Sequence, residues 1–138
     1  MKAYHDTQLA LACLDYTRLN EQDSEQAIYE FITQLSADCP MPAALCIYPQ
    51  WLGYAKKVIQ EHFKAPIVLA TVTNFPDGEQ ALEQVLEQTQ NALTQGATEI
   101  DLVLPYKRLQ ASDEHTARRY VRESARLCRG KAKLKVII

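Results

Sequence analysis

The chain has 138 residues, of which 47% are hydrophobic and 23% charged, which is the composition of a globular domain with a real core. Its formal net charge of −2 gives no reason to expect a nucleic acid or an anionic membrane as partner. No stretch is apolar and long enough to cross a bilayer. The N-terminal residues lack the apolar core and cleavage site of a signal peptide, so we expect a cytoplasmic protein.

The first part of the chain predicts two helices. A short helix is expected over residues 5–14, followed by a polar loop over residues 14–20. Asp23 is expected to cap the second helix. The apolar side chains of this helix recur at helical spacing: Ile28, Phe31, Ile32 and Leu35. The prolines in the run from Cys39 to Pro42 then break the helix.

From residue 43 onwards, predicted strands and helices alternate. Four runs rich in apolar or β-branched residues predict strands, over residues 43–48, 67–74, 100–104 and 133–138. Helices are expected between them, over residues 50–62, 77–96 and 113–129, with Asp77 as the cap of the second. Each connection is long enough for a right-handed crossover, so the sheet is expected to be parallel.

The strand at 100–104 carries an acid, Asp101, inside a run that otherwise has the pattern of a buried strand. Because strand side chains alternate, Asp101 and Val103 share the face opposite Ile100 and Leu102. A buried acid is costly unless it is paired or used. From the residue alone, it is either a structural acid that pairs with a lysine or a catalytic group.

The chain ends inside an apolar strand, at the run KVII. Parallel strands are normally covered on both faces, so we expect the chain to be a fragment. A TIM (β/α)8 barrel needs about twice this length. The predicted fold is therefore α/β, half of such a barrel, with four parallel strands and crossover helices. We expect one domain over residues 1–138, divided into a helical N-terminal extension at 1–42 and the four strands at 43–138.

Five segments together resemble one enzyme family. They are LDYTRLN at 14–20, LCIYP at 45–49, ATVTNFPDG at 70–78, EIDLVLPY at 99–106 and LKVII at 134–138. In order and spacing they are similar to deoxyribose-phosphate aldolase. The resemblance implies a class I aldolase on a TIM barrel. Such an enzyme cleaves 2-deoxyribose 5-phosphate to acetaldehyde and glyceraldehyde 3-phosphate through a Schiff base on a lysine of a later strand, without metal or other cofactor.

The resemblance also implies roles for residues of the early strands. The aspartate of the family that takes part in proton transfer corresponds to Asp101, which makes Asp101 the catalytic candidate. Asp15 and Thr17 correspond to a segment at the mouth of the site that reaches the substrate hydroxyls, although both residue types also shape turns. Cys46 corresponds to a cysteine that lines the substrate pocket, and a small apolar filler is the alternative.

Lys135 and Thr73 complete the expected substrate-binding set. Lys135 needs a partner in a barrel strand, and Asp101 on the adjacent strand is the expected one. As a partly buried amine, Lys135 could in principle form an imine, but the resemblance puts that role further along the chain. Thr73 ends the second predicted strand, at the edge where barrel sites lie, beside Thr71 and Asn74.

No metal site is expected from the cysteines. They are widely spaced, without a CxxC pair or a histidine at metal spacing: Cys13, Cys39, Cys46 and Cys128. We expect reduced, mostly buried thiols. The basic helix at 113–129 is read as a solvated face, with nucleic-acid binding as a weaker alternative.

The resemblance places the Schiff-base lysine, its partner lysine and the phosphate-binding loops beyond residue 138. We therefore expect no substantial turnover by this chain alone. We expect a phosphosugar substrate to bind the full-length enzyme. We expect the chain to form a homodimer, without nucleic-acid or membrane partners. The alternatives are a non-catalytic half-barrel that self-associates, and another class I aldolase that uses Lys135.

Overall fold

The computed structural model describes residues 2–35 and 41–138, with side chains from residue 6 onwards. The helices in these ranges are α1 (Lys2–Ala12), α2 (Glu25–Thr33), α3 (Leu52–His62), α4 (Leu82–Gln95), α5 (Tyr106–Gln110) and α6 (Glu114–Cys128), with a 3-10 turn at Pro49–Trp51 before α3. The strands are β1 (Asp15–Arg18), β2 (Ala44–Ile47), β3 (Leu69–Thr73), β4 (Glu99–Val103) and β5 (Lys133–Ile137). Cys39 and Pro40 of the predicted helix break lie outside the described residues.

The strands form one parallel sheet in the order β1-β2-β3-β4-β5. The predicted half-barrel architecture is confirmed, but the described sheet has five strands and not four. The additional strand is β1, which the sequence predicted as a loop within the helical extension at 1–42. Its four residues, DYTR, are too polar and too few to give a strand pattern, and they become a strand because Asp15–Arg18 pair in register with Ala44–Ile47. The single domain at 1–138 stays a prediction.

The outer face of the sheet carries the main core, which fills the space between strands and helices. Ile100 and Leu102 are fully buried there, as their spacing predicted. Leu102 packs with Val85 and Tyr120 of α4 and α6. The larger cluster joins the predicted apolar stripes of α2 and α3 to the strands: Ile28, Phe31, Ile32, Leu45, Ile47, Leu52, Ala55, Val58, Ile59, Leu69 and Ile100.

Two predicted helix caps are wrong. The cap of α2 is Ser24, whose hydroxyl accepts from the backbone N–H of Ala27. Asp23 instead forms a salt bridge of 2.6 Å with Arg18 at the end of β1. Asp77 accepts from the backbone N–H of Glu79 within the loop, and α4 begins only at Leu82. In both cases the acid accepts hydrogen bonds from a group outside the helix and not from the backbone N–H groups of its first turn.

The loop after β3 is fixed to the end of β4 by Asn74. This side chain is fully buried, and its backbone has a left-handed φ of 57°. Its amide nitrogen donates to the Val103 carbonyl at 2.8 Å, and its amide oxygen accepts from the Gln80 N–H at 2.9 Å. Both halves of the amide are thus used to position the loop next to the strand that carries Asp101.

Candidate active site

The inner face of the curved sheet gathers the charged side chains of β4 and β5. The register places Asp101 beside Lys135 and Glu99 beside Lys133. Because alternate residues of neighbouring strands point to the same side, all four project inward. On β2 and β3 the same face is apolar, formed by Ala44, Cys46, Ala70 and Val72.

Lys135 is the centre of this cluster. Its ammonium nitrogen lies 3.0 Å from Glu99 Oε2 and 3.2 Å from Asp101 Oδ1, and it donates a hydrogen bond to Asp15 Oδ2. The predicted ion pair between Lys135 and Asp101 is therefore present. Asp15 lies on β1, at the other edge of the sheet, so the curvature of the sheet brings its first and last strands face to face across the interior.

The surrounding charges hold Lys135 in its ammonium form. Burial on its own would lower the pKa of Lys135, but the contacts with Asp15, Glu99 and Asp101 outweigh burial and raise the pKa above its ordinary value. An ammonium has no lone pair, so at neutral pH this side chain supplies positive charge and not a nucleophile.

Asp101 is the buried carboxyl of the cluster, with 7% of its surface exposed. Burial raises the pKa of Asp101, the nearby Lys135 ammonium opposes that effect, and the charges of Asp15 and Glu99 reinforce it. The net direction is upward, so this carboxyl holds a proton more readily than an ordinary aspartate. A carboxyl with a raised pKa is a candidate for taking up and returning a proton during a reaction.

Glu99 is a member of the cluster that sequence reasoning missed. Burial would raise the pKa of Glu99, but Lys133, at 2.7 Å, and Lys135 lower it below its ordinary value. The signal was available, because Glu99 lies two residues before Asp101 and so shares its face of the strand. Glu99 and Asp101 are thus two neighbouring carboxyls whose pKa values shift in opposite directions.

Cys46 lies against the cluster from β2. Its sulfur is 3.8 Å from Asp101 Oδ2. Burial, followed by the negative charge of Asp101, raises the pKa of Cys46 to about 12. The thiol therefore stays protonated at neutral pH and is a poor nucleophile. Its position agrees with a residue that lines the interior.

The structure brings Thr17 to this site but not Thr73. Thr17 is next to Cys46 in the register of β1 and β2 and shares the inner face with Asp15; its hydroxyl donates to the Asp15 carbonyl at 3.0 Å. Thr73 is next to Leu102 in the register, on the outer face under the helices. The expectation that Thr73 binds substrate is therefore not supported by its position, because strand alternation turns it away from Asp101.

A cavity of about 230 Å³ opens at the carboxyl ends of β2 and β3. Tyr48 and Phe75 meet edge to face there, with ring centroids 6.0 Å apart. Three amide side chains also line the cavity: Gln50, Gln80 and Gln88. Val72 completes the lining, and its register partner on β4 is Asp101. The residues around this cavity can offer apolar contact and neutral hydrogen bonds next to the charged cluster.

Two further properties concern the described part of the chain as a whole. None of its helices has the length and apolar character needed to span a membrane. Residues 2–35 and 41–138 contain no group of three or more histidine, cysteine, aspartate or glutamate side chains placed to hold a metal ion.

Comparison with known proteins gives a family and a fold. The profile of the family described as DeoC/LacD family aldolase matches residues 9–138. The solved structure of an aldolase named QR15 superposes with a TM-score of 0.81 at 22% sequence identity, covering 93% of this chain and 54% of that one. Deoxyribose phosphate aldolase from Aeropyrum pernix, described as having a unique tetrameric structure, superposes with a TM-score of 0.78 at 22% identity, covering 94% and 52%. The chain spans about half the length of these solved structures.

Proposed function

Because the chain belongs to the DeoC/LacD family of aldolases, we propose that it forms the first half of a class I aldolase acting on 2-deoxy-D-ribose 5-phosphate. The reaction is reversible cleavage to acetaldehyde and D-glyceraldehyde 3-phosphate. The observation that carries the proposal is the inner cluster, where a buried carboxyl with a raised pKa, Asp101, lies 3.2 Å from a fixed ammonium, Lys135. The substrate is inferred from the resemblance of the sequence motifs to those of deoxyribose-phosphate aldolase.

In the proposed reaction, a lysine amine condenses with the C1 aldehyde of the open-chain sugar and releases water. A base removes the proton of the C3 hydroxyl, the C2–C3 bond breaks, and its electron pair moves into the iminium to give an enamine. Glyceraldehyde 3-phosphate leaves, C2 takes up a proton, and hydrolysis of the imine releases acetaldehyde. Each proton transfer needs a positioned group that exchanges protons near neutral pH.

Asp101 suits the proton-transfer steps. Its raised pKa lets it hold a proton in one step and release it in another, while Lys135 keeps the deprotonated form from becoming too costly. Asp15, Thr17 and Cys46 lie on the same inner face, and we assign them to contacts with the uncharged part of the substrate. Asp15 also holds Lys135, which makes it a positioning residue for the charge next to Asp101.

The Schiff-base lysine is assigned outside the described cluster. Lys135 is held as an ammonium by three carboxylates, and Lys133 is paired with Glu99. Lys135 is therefore not suited to attack a carbonyl at neutral pH. This argues against the alternative of a class I aldolase that uses Lys135. The nucleophile and the phosphate-binding loops are assigned to later strands from the resemblance of the sequence.

The chain alone is the first test. With 2-deoxyribose 5-phosphate in a coupled assay for glyceraldehyde 3-phosphate, we expect no turnover above background, because covalent activation and substrate positioning would both be missing and each contributes several orders of magnitude in rate. Treatment with acetaldehyde and borohydride should leave no reduced adduct on Lys135 in a peptide map. Enzyme-like turnover that Lys135→Ala abolishes, together with an adduct on Lys135, would show that the nucleophile lies within this chain.

A second candidate function is a non-catalytic half-barrel that self-associates. The observation in its favour is that the first and last strands of the described sheet each have one side without a strand partner. The two candidates differ in what lies beside β1 and β5, which is further strands of the barrel in the aldolase and a second copy of the chain in the self-associating half-barrel.

A further inference from the structure

Three carboxylates share the ammonium of Lys135, and their contacts with it are unequal. Asp15 accepts a hydrogen bond from the ammonium. Glu99 Oε2 lies 3.0 Å from the nitrogen, and Asp101 Oδ1 lies 3.2 Å from it. Within the part of the chain that the structure describes, Asp101 Oδ1 is buried and receives no hydrogen bond. Asp101 therefore has the weakest hold on the charge that stabilises its ionised form.

Glu99 competes with Asp101 for this ammonium. The two acids are two residues apart on β4 and project from the same face. Both reach the nitrogen of Lys135 on the neighbouring strand. Because the attraction between two charges falls with distance, a shift of the ammonium towards Glu99 makes the ionised form of Asp101 less stable.

Lys133 gives Glu99 a second cation. The register of β4 and β5 places these two residues side by side. The ammonium of Lys133 donates a hydrogen bond of 2.7 Å to Glu99 Oε1, while Oε2 of the same carboxylate faces Lys135. The two oxygens of Glu99 are thus divided between two lysines. A carboxylate that is already paired attracts Lys135 less strongly than an unpaired one would.

The other strands around Asp101 offer no substitute for Lys135. Strand β2 contributes the thiol of Cys46, whose sulfur is 3.8 Å from Asp101 Oδ2, and β3 contributes the uncharged Val72. Burial raises the pKa of Asp101, and the negative charge of Asp15 on β1 raises it further. Among the described residues, Lys135 is the cation that lowers this pKa. The protonation of Asp101 therefore depends on where this ammonium lies.

We propose that Lys133 is a positioning residue for Asp101. By holding one oxygen of Glu99, it leaves the ammonium of Lys135 closer to Asp101. Lys133 itself lies one register pair away from Asp101, about 7 Å along the strands, so its effect passes through the two residues between them. The inference rests on the proposed function, in which Asp101 transfers protons, and it adds a residue that sets how readily Asp101 releases its proton.

The test follows the proton on Asp101 in the full chain. The side-chain carboxyl carbon signal of Asp101, assigned by its loss in Asp101→Asn, is recorded by NMR as a function of pH. Lys133→Met removes the second cation of Glu99, so the midpoint of this signal should move to higher pH by about half a pH unit, less than the effect of a direct contact. Lys133→Arg keeps the charge and is the matched control, with an unchanged midpoint.

A double-mutant cycle separates the two routes by which Lys133 can act on Asp101. Glu99→Gln removes the competing charge, so the midpoint should move to lower pH. In that background Lys133→Met should have no further effect, because the route through Glu99 is already absent. Circular dichroism shows whether each variant is folded. If Glu99→Gln is unfolded, Glu99→Asp, whose reach is one methylene shorter, takes its place with the same expectation for Lys133→Met.

Three results would overturn the proposal. Lys133→Met might leave the midpoint in place or lower it, Lys133→Arg might move it as far as Lys133→Met does, or Lys133→Met might shift it equally with and without Glu99→Gln. The last result would mean that Lys133 acts on Asp101 directly. These measurements use no substrate, so an unmoved midpoint leaves the proposed aldolase reaction intact. Likewise, an absence of aldolase activity in the completed enzyme would leave the measured shifts in place.

Discussion

Replacing Lys135 by methionine measures what its charge contributes to the fold. Methionine keeps a similar apolar stem but leaves Asp15, Glu99 and Asp101 together without their shared ammonium, which lies 3.0 Å from Glu99 and 3.2 Å from Asp101. Removal of one partner from a buried ion pair costs about 3–5 kcal/mol. The side chain of Lys135 is 31% exposed, and solvent screening reduces the effect, so we expect a loss of about 2–3 kcal/mol at neutral pH.

The loss should depend on pH in a defined direction. Without Lys135, the pKa of Asp101 in the folded state rises further above that of the unfolded chain, because burial and the charge of Glu99 are no longer opposed by the ammonium. Groups of this kind stabilise the fold below their unfolded pKa, and that contribution disappears as the pH rises through the folded pKa. The deficit relative to the unchanged chain should therefore be smaller at about pH 5 than at about pH 8.

Urea unfolding followed by the fluorescence of Trp51, the single tryptophan of the chain, measures both quantities. Lys133→Met is the matched control, since Lys133 pairs with Glu99 from a side chain that is 70% exposed and should lose less than about 1 kcal/mol. Equal losses for the two variants, or a Lys135→Met deficit that does not change with pH, would show that the ammonium is not the charge centre of the interior.

Four other substitutions test separate parts of the structure. Asp101→Asn should raise the unfolding free energy by about 1 kcal/mol at neutral pH, because burial disfavours the charge at this position. In a protein that joins this half to the remaining strands, the same substitution should lower turnover by about 10²–10⁴-fold. Full activity of that variant would refute the proton-transfer role. Gly78→Ala should cost more than about 2 kcal/mol in urea unfolding, because its Cβ would lie 2.4 Å from the Leu104 carbonyl oxygen. Gly130→Ala, at the same φ of 71° but with open space, should cost about 1–2 kcal/mol, and a similar loss at both glycines would contradict the steric reading. Asn74→Asp removes the donor to the Val103 carbonyl and should cost about 1–3 kcal/mol in the same assay, whereas an unchanged midpoint would mean that this bond does not hold the loop.

The parts of the fold that follow from periodicity could be read from the sequence. The runs that became β2, β3, β4 and β5 are apolar or β-branched, and the stripe of α3 is buried as its spacing predicted. Strand β1 could not be read in this way, because DYTR becomes a strand through its pairing with β2. A four-residue strand with two charges carries almost no local signal.

The candidate site could be predicted in part, from the alternation of side chains along each strand. Asp101 stood out as an acid inside a buried run, and its pairing with Lys135 followed from adjacent strands. The contact between Asp15 and Lys135 depends on the curvature of the whole sheet, and no local sequence pattern predicts that curvature. Thr73 lies near the end of its strand, as the sequence predicts, but strand alternation puts its side chain on the outer side of the sheet.

If the chain acts as the proposed aldolase, the charge balance of the interior limits where the nucleophilic amine can lie. Lys135 is enclosed by carboxylates on the side of Asp15, Glu99 and Asp101, and an amine placed among those acids would likewise be held as an ammonium. An amine that approached from the open side of the interior would instead meet the positive charge of Lys135 before the carboxylates. That charge favours the neutral amine, which is the form able to attack a carbonyl. Under the proposed function, the cluster therefore suits a nucleophilic lysine that faces Lys135 from outside the group of acids, with Asp101 within reach for the proton.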